Sequence, residues 1–314
     1  MQSVLDQAGD ALAELLVLDN EPDAGLEREV QQAARRARMP VVYIPVPHVG
    51  LHNGRHAAAQ HASGTVIAYL DDDVLVQPGW LAGLADAFND PDVHLVGGPC
   101  APLYESEPPQ WLERFWSEAD GARWCAPLSL IDAGNADRDV DPGLIFGANF
   151  AIRKQTLVDV GGFHPDALPW SLRRFRGDGE TWVSNRVREL GRRAVYRPSV
   201  GVLHRVPLER MTNAYFERRA FLQGISDSFT DARNLRHDGR RPAIARLSAD
   251  LRGLAFGVVR KVRRGGSSQE LAFAASHLAG YRYHQDQMRV SPVVLEWVMR
   301  PTYWDGEVPE GDDR

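Results

Sequence analysis

Three strand-sized apolar runs, at residues 15–18, 41–44 and 66–70, are separated by stretches of helical composition and length at 26–37 and 51–62. Short β-branched and aliphatic runs bounded by turn formers read as buried strands. Strand–helix–strand repeats of this spacing close by right-handed crossovers into a mostly parallel, Rossmann-like α/β sheet flanked by helices. In such sheets the ligand crevice lies beyond the C-terminal strand ends. Here those ends carry Asp19-Asn20, then Pro45-Val-Pro-His-Val-Gly50, then Asp71-Asp72-Asp73. Three adjacent carboxylates repel one another unless a cation joins them, so fold and charge point to one edge.

The chain has 314 residues, 44% hydrophobic and 25% charged, which excludes wholesale disorder, collagen and coiled coil. No apolar run approaches the length of a membrane span. The N-terminus lacks the basic region and apolar core of a secretory signal, so a cytoplasmic location is expected. Cys100 and Cys125 can form at most one bridge, and two reduced thiols are expected. A net charge of −6 argues against nucleic acid as a partner. The segment 236–264 departs from that average, with nine basic residues against Asp238 and Asp250.

Further along, 102–141 reads as loops and short helices, 144–152 as a strand, and 178–190 as a helix ended by Gly191. A last short strand is expected at 200–204. Helical patterns follow at 211–229, 243–262 and 269–288. These readings divide the chain into an α/β domain at 1–230 and a C-terminal helical extension at 231–314, basic at 236–264.

Hard divalent cations favour carboxylate oxygens and complete their shells with substrate phosphates, so Asp71-Asp72-Asp73 suits Mg²⁺ or Mn²⁺. The alternative for the same triplet is a solvated acidic turn leading into the helix after Pro78. The residues around it form a larger pattern. Gly50-Leu-His-Asn-Gly-Arg-His56, the strand Thr65-Val-Ile-Ala-Tyr-Leu70, the aspartates and Pro78-Gly-Trp-Leu81 resemble the core of family 2 glycosyltransferases of the GT-A fold. Four more segments match in order: Asp19-Asn20, Gly147-Ala-Asn-Phe-Ala-Ile-Arg153 with Val160-Gly-Gly-Phe163, Gly177-Asp-Gly-Glu-Thr181, and Val200-Gly-Val-Leu-His204. The resemblance spans roughly residues 3–230, and ordered motifs are more specific than any one alone.

The resemblance implies inverting, metal-dependent, hexosyltransferase-type transfer of a sugar from a nucleoside-diphosphate donor to an acceptor hydroxyl, in cell-envelope or polysaccharide biosynthesis. It assigns Asp19, Arg55, Asp71, Asp72 and Asn149 to the donor, and Asp73 and His204 to Mg²⁺ or Mn²⁺. Glu180 falls where the family's catalytic base lies, with Asp178 as the competing candidate. The base must take a proton from the attacking hydroxyl. The acceptor class is a glycan or a lipid-linked sugar.

Three departures stand out. The family's usual first strand is not found in this chain, which is expected to be N-terminally truncated relative to the family; His56 stands where Asn is usual, and Gly179 interrupts the acidic pair. The first departure keeps open a catalytically inactive sugar-nucleotide-binding or scaffolding protein of the same fold. A nucleotidyltransferase is disfavoured because no Gly-rich phosphate loop is visible. His52 and His56, four residues apart, invite a zinc reading but lack further ligands nearby. The apolar stripe within 236–264 matches a helix lying on an anionic membrane surface, or one packing on the main domain, and the first reading extends the location to the cytoplasmic face of a membrane.

Overall fold

The β-branched runs become strands and the intervening small-residue stretches become helices. The computed structural model describes residues 1–7, 12–237 and 268–309, with 235–237 as backbone only. It divides into one unit of Met1–Phe163 with Glu180–Leu208 and a second of His164–Gly179 with Glu209–Arg314. This differs from a division at residue 230. Phe216, Ala220, Ile225 and Phe229 are buried along one long helix, so that helix belongs to a single unit over its whole length.

In the first unit, α1 (Gln2–Leu5) precedes β1 (Leu15–Asp19), α2 (Ala24–Arg36), β2 (Val41–Pro45), α3 (Leu51–His61), β3 (Val66–Leu70) and β4 (Val74–Val76). Then come α4 (Trp80–Phe88), β5 (Val93–Gly97), β6 (Cys100–Tyr104), β7 (Ser117–Ala119), β8 (Ala122–Cys125), β9 (Leu130–Asp132) and β10 (Arg138–Asp139). β11 (Asn149–Arg153), α5 (Lys154–Asp159), α6 (Glu180–Glu189), β12 (Arg193–Tyr196) and β13 (Val202–Val206) complete it. The strands order as β1-β2, as β10-β12-β5-β11-β3, and as β4-β13-β6-β9-β8-β7.

The pairing is more mixed than a mostly parallel sheet. β1–β2, β5–β12 and β6–β13 are parallel, whereas β11 runs antiparallel to both β3 and β5. Parallel neighbours require a long crossover, while a short connection returns the chain antiparallel. The same rule makes 102–141 more than loops, because its short connections close β7, β8 and β9 into an antiparallel ladder. Among the described residues, β1 pairs only with β2 and β3 only with β11, and Leu15, Leu16, Val17 and Leu18 are half-buried.

Val74, Val76, Trp80, Leu84, Val96 and Val202 meet in the core of this unit. The buried indole of Trp80 donates to Asn149 Oδ1 at 3.0 Å, and Asn149 Nδ2 donates to the Val200 carbonyl at 2.7 Å. One buried amide thereby ties α4, β11 and the approach to β13 together. Cys100 and Cys125 are both free and buried, and burial pushes each thiol up to about 12.

The second unit contains a 3₁₀ turn (Trp170–Phe175), α7 (Asn213–His237), α8 (Ser268–Val290) and α9 (Pro292–Val298). α7 and α8 carry a polar ladder: His277 Nε2 with Asp227 at 2.8 Å, Tyr281 Oη donating to Asp231 at 2.9 Å, and Ser228 with His284 Nδ1 at 2.9 Å. The Ser228–His284 pair is buried, where a polar pair is stabilising only when satisfied, and the three pairs together specify the helix register. Phe175, Phe229, Met288, Trp297 and Tyr303 form the apolar core, with Trp297 Nε1 donating to the Phe175 carbonyl at 2.7 Å. Ser291 accepts from Val294 N and caps α9, with Pro292 opening the helix. The helix expected at 243–262 and the side chains of the basic run 236–264 lie outside the described residues.

Candidate active site

β3 delivers the aspartates and β13 delivers the histidine, and the strand register brings them together. β4 pairs antiparallel with β13 so that His204 opposes Val74, and Arg205 N donates to the Asp73 carbonyl at 2.9 Å. His204 Nε2 and Asp73 Oδ1 then stand 3.1 Å apart, with the imidazole buried and the carboxylate 22% exposed. An oxygen and a nitrogen donor converging with one open side suit a divalent ion such as Mn²⁺ or Mg²⁺. Among the described residues no group of three or more His, Cys, Asp or Glu is disposed to hold a metal. Asp72 is exposed between its neighbours.

Arg55, on α3, is buried and shared between two carboxylates. Its Nη1 donates to Glu180 Oε2 at 3.1 Å, its Nη2 lies 3.7 Å from Asp71 Oδ1, and its guanidinium sits 5.1 Å over the Phe163 ring. Glu180 opens α6, where a helix N-terminus favours a carboxylate, and its Oε1 accepts from Gly147 N at 3.3 Å. Gly147 leaves room for the pair: a Cβ there would meet Arg55 Nη2 and stand 2.9 Å from Glu180 Oε1, so any side chain would displace one of them. Burial pushes the Asp71 carboxyl up; Arg55 opposes the rise, and the charges of Glu180 and Asp73 reinforce it. Asp71, Asp73, Glu180, Arg55 and His204 thus form one electrostatic cluster at the strand ends.

Asp178 and Glu180 fall on opposite sides of a backbone reversal. Gly179 adopts φ +55°, a left-handed conformation that glycine takes at little cost, and α6 begins with the next residue. Asp178 accordingly belongs to the second unit. It is buried, with Oδ1 2.6 Å from His164 Nδ1 and Oδ2 accepting from Thr230 Oγ1 at 2.6 Å. A carboxylate only accepts, so His164 Nδ1 carries the proton. Burial pushes the His164 pKa down against the pull of Asp178.

The remaining expected donor residues divide. Asp19 ends β1, where Oδ1 accepts from Glu21 N and Oδ2 from Asp23 N and Tyr43 Oη. Burial alone would raise its carboxyl, but these donors outweigh burial and hold it below the ordinary range. Asn149 opposes Leu70, the residue before Asp71, and its 2%-exposed side chain is engaged on both amide atoms within the fold. His52 and His56 are both buried, and His56 Nε2 accepts from Phe163 N at 2.8 Å. Sequence reasoning did not find Gly147 or Phe163 as supports for the cluster. Their signal was the pair of glycine-containing motifs around β11, whose spatial meaning depends on α6.

These features give an α/β fold with an acidic cluster at strand ends and a carboxylate at a helix start. The family model described as "Glycosyl transferase family 2" matches residues 1–156. Over that stretch, about half of its length, the chain is similar to family 2 glycosyltransferases. It is 25% identical over 237 residues to the glucosyl-dolichyl phosphate glucuronosyltransferase of Haloferax volcanii, covering 74% of this chain and 71% of that one. It is 24% identical over 98 residues to the succinoglycan biosynthesis protein ExoM of Rhizobium meliloti, covering 31% of this chain and 32% of that one. Among solved structures, it is similar to a mannosyltransferase, PcManGT from Pyrobaculum calidifontis, in complex with GDP-Man and Mn²⁺ (17% identity, TM-score 0.47, 93% of this chain and 76% of that one). Among the described residues no helix is long and apolar enough to cross a membrane.

Proposed function

We propose that the protein catalyses inverting transfer of a hexosyl unit from a nucleoside-diphosphate sugar to a hydroxyl of a glycan or lipid-linked acceptor in envelope or polysaccharide assembly. The observation that carries this reading is the cluster in which Arg55 joins Glu180 to Asp71, with Asp73 and His204 3.1 Å apart. Inversion in one displacement needs a base on the acceptor side and charge neutralisation on the leaving side. Glu180 is the base: its side chain is 28% exposed, and Arg55 and the Gly147 amide orient it. Asp178 is a positioning residue, held by His164 and Thr230. Asp73 and His204 would hold Mg²⁺ or Mn²⁺, which supplies neutralisation of the diphosphate leaving group. Asp71, Asp19 and the exposed Asp72 contact the donor's nucleoside and phosphates, and Arg55 keeps Asp71 and Glu180 in register.

The relatives' names support a sugar acceptor, either lipid-linked, as for the dolichyl phosphate enzyme, or polysaccharide, as for the succinoglycan protein. Contact with an anionic membrane surface through 236–264, on the cytoplasmic face, accompanies the lipid-linked case.

Calorimetric titration of the 314-residue chain with UDP, GDP and dTDP, with and without Mn²⁺, tests the reading. Metal-dependent binding of one nucleotide is expected, together with slow release of the free sugar from the matching donor. Binding without any transfer or donor hydrolysis would favour the inactive sugar-nucleotide-binding alternative, and no binding by a folded chain would remove both.

A further inference from the structure

Trp170 is the one exposed Trp, Tyr or Phe among the described residues, at 52% exposure. It opens the 3₁₀ turn Trp170–Phe175 in the second unit, directly after Pro169. The indole is exposed but held. The Arg173 guanidinium lies 4.5 Å from the Trp170 ring centroid and 4.9 Å from that of Tyr283, and Arg173 Nη1 donates to the Trp170 carbonyl at 2.7 Å. Phe221, from α7, packs 5.6 Å from both Trp170 and Tyr283. Three elements therefore fix one indole in a single orientation, with a guanidinium stacked against it.

Leaving half an indole in water forgoes the burial that normally places Trp in cores and interfaces. Three side chains organised to hold it there amount to preorganisation, which lowers the entropic cost of binding a partner. The size of the platform selects the partner. Pro169 and Ser171, on either side in the chain, are exposed, and Leu172 turns toward the apolar core of the unit. The exposed aromatic surface is thus a single ring, with Phe221 and Tyr283 half-buried beside it, whereas a bilayer contact needs a continuous apolar face. A pyranose has matching dimensions and chemistry: a face of C–H groups that stacks on an indole, and equatorial hydroxyls at its rim. The Arg173 guanidinium lies over both the Trp170 and Tyr283 rings and serves to hold the indole in place.

We propose that Trp170, backed by Arg173, Phe221 and Tyr283, is a stacking subsite for a pyranose ring of the acceptor. This rests on the reading of the acceptor as a sugar-bearing molecule. The subsite adds affinity and orientation and carries no chemical step.

The test uses the full chain labelled with 5-fluorotryptophan, whose eight indoles give separate ¹⁹F resonances; the Trp170 line is the one missing from Trp170→Phe. Titration with cellotetraose, maltotetraose and mannotetraose should shift that line saturably with at least one of them, while the acyclic control sorbitol leaves it in place. Trp170→Ala should weaken the responding tetrasaccharide about tenfold, read by calorimetry, and Trp170→Phe by about threefold. Should Trp170→Ala not fold, the Phe variant and Arg173→Lys carry the comparison. No shift of the Trp170 line with any tetrasaccharide overturns the subsite. A shift with phosphatidylglycerol vesicles alone also overturns it, in favour of a membrane contact. Nucleotide binding in the same preparation is scored separately, so a chain that binds nucleotide without stacking sugar refutes the subsite and leaves the proposed function standing.

Discussion

The two units treat charge in opposite ways. In the first, Asp71, Asp73 and Glu180 are 33%, 22% and 28% exposed, gathered around one buried arginine and one buried histidine. In the second, the Asp178 side chain is 3% exposed and that of its partner His164 1%, while His284 is fully buried against Ser228. A partly open carboxylate retains lone pairs for a ligand at modest cost in stability. A closed one has its acceptors filled and serves the fold, because an unpaired buried charge would be costly. The difference separates Glu180 from Asp178, two residues apart in one motif.

That contrast yields outcomes that can break it. The largest effect is expected for Glu180→Gln, a loss of about a thousandfold in transfer rate with nucleotide affinity and melting temperature unchanged. A Gln variant with undiminished turnover would end the base assignment. Next, Asp73→Asn or His204→Gln should each lower Mn²⁺-dependent nucleotide affinity at least about tenfold, seen by calorimetry, while metal-free binding stays as it was. The mirror variant in the closed unit, Asp178→Asn, should instead lower stability by about 2–4 kcal/mol in denaturant unfolding, because His164 and Thr230 lose their acceptor. A stable but inactive Asp178→Asn protein would reverse the roles given to the two carboxylates.

A smaller effect comes from pH. Burial pushes His284 from an ordinary 6.5 down to about 3. The unfolded chain therefore takes up a proton below pH 6.5 that the native chain refuses, so the stability this group contributes is present above pH 6.5 and is lost as pH falls toward 3. Between pH 7 and 5 the loss should reach about 2 kcal/mol, with His164 adding in the same direction. Thermal unfolding across that range checks it, and His284→Gln should flatten the dependence. A pH-independent melting temperature for the wild-type chain would show that the second unit does not hold its histidines closed. Last, Gly147→Ala should cost roughly 1–3 kcal/mol of stability and disturb the Arg55–Glu180 pair, lowering turnover more than nucleotide affinity.

Much of the first unit was legible in order along the chain. Strands at 15–19, 41–45 and 66–70 and helices at 51–61 and 180–189 follow from apolar runs and terminal signals that act over a few residues. The pairing of Asp73 with His204 was legible only through family resemblance, since 131 residues of sequence separate them and the strand register alone brings them within 3.1 Å. The second unit was less readable. Helices expected at 211–229 and 269–288 are found at 213–237 and 268–290, but the ladder joining Asp227 to His277 and Asp231 to Tyr281 depends on how the two helices are aligned. Helical periodicity does not encode that alignment.

The sequence by itself determined the resemblance to family 2 glycosyltransferases, the α/β alternation, the acidic strand end and the short list of carboxylates near it. These are properties of neighbouring residues and of motif order, and local sterics and hydrophobic periodicity suffice to express them. Tertiary structure decided which carboxylate stays open: Gly179 reverses the backbone between Asp178 and Glu180, Arg55 and Gly147 meet Glu180, and His164 and Thr230 close over Asp178. It also decided that Asn149 braces Trp80 and that Trp170 is held facing water. Each of these outcomes depends on which distant donors and rings share a side chain's space, which the residue's own neighbours along the chain do not specify.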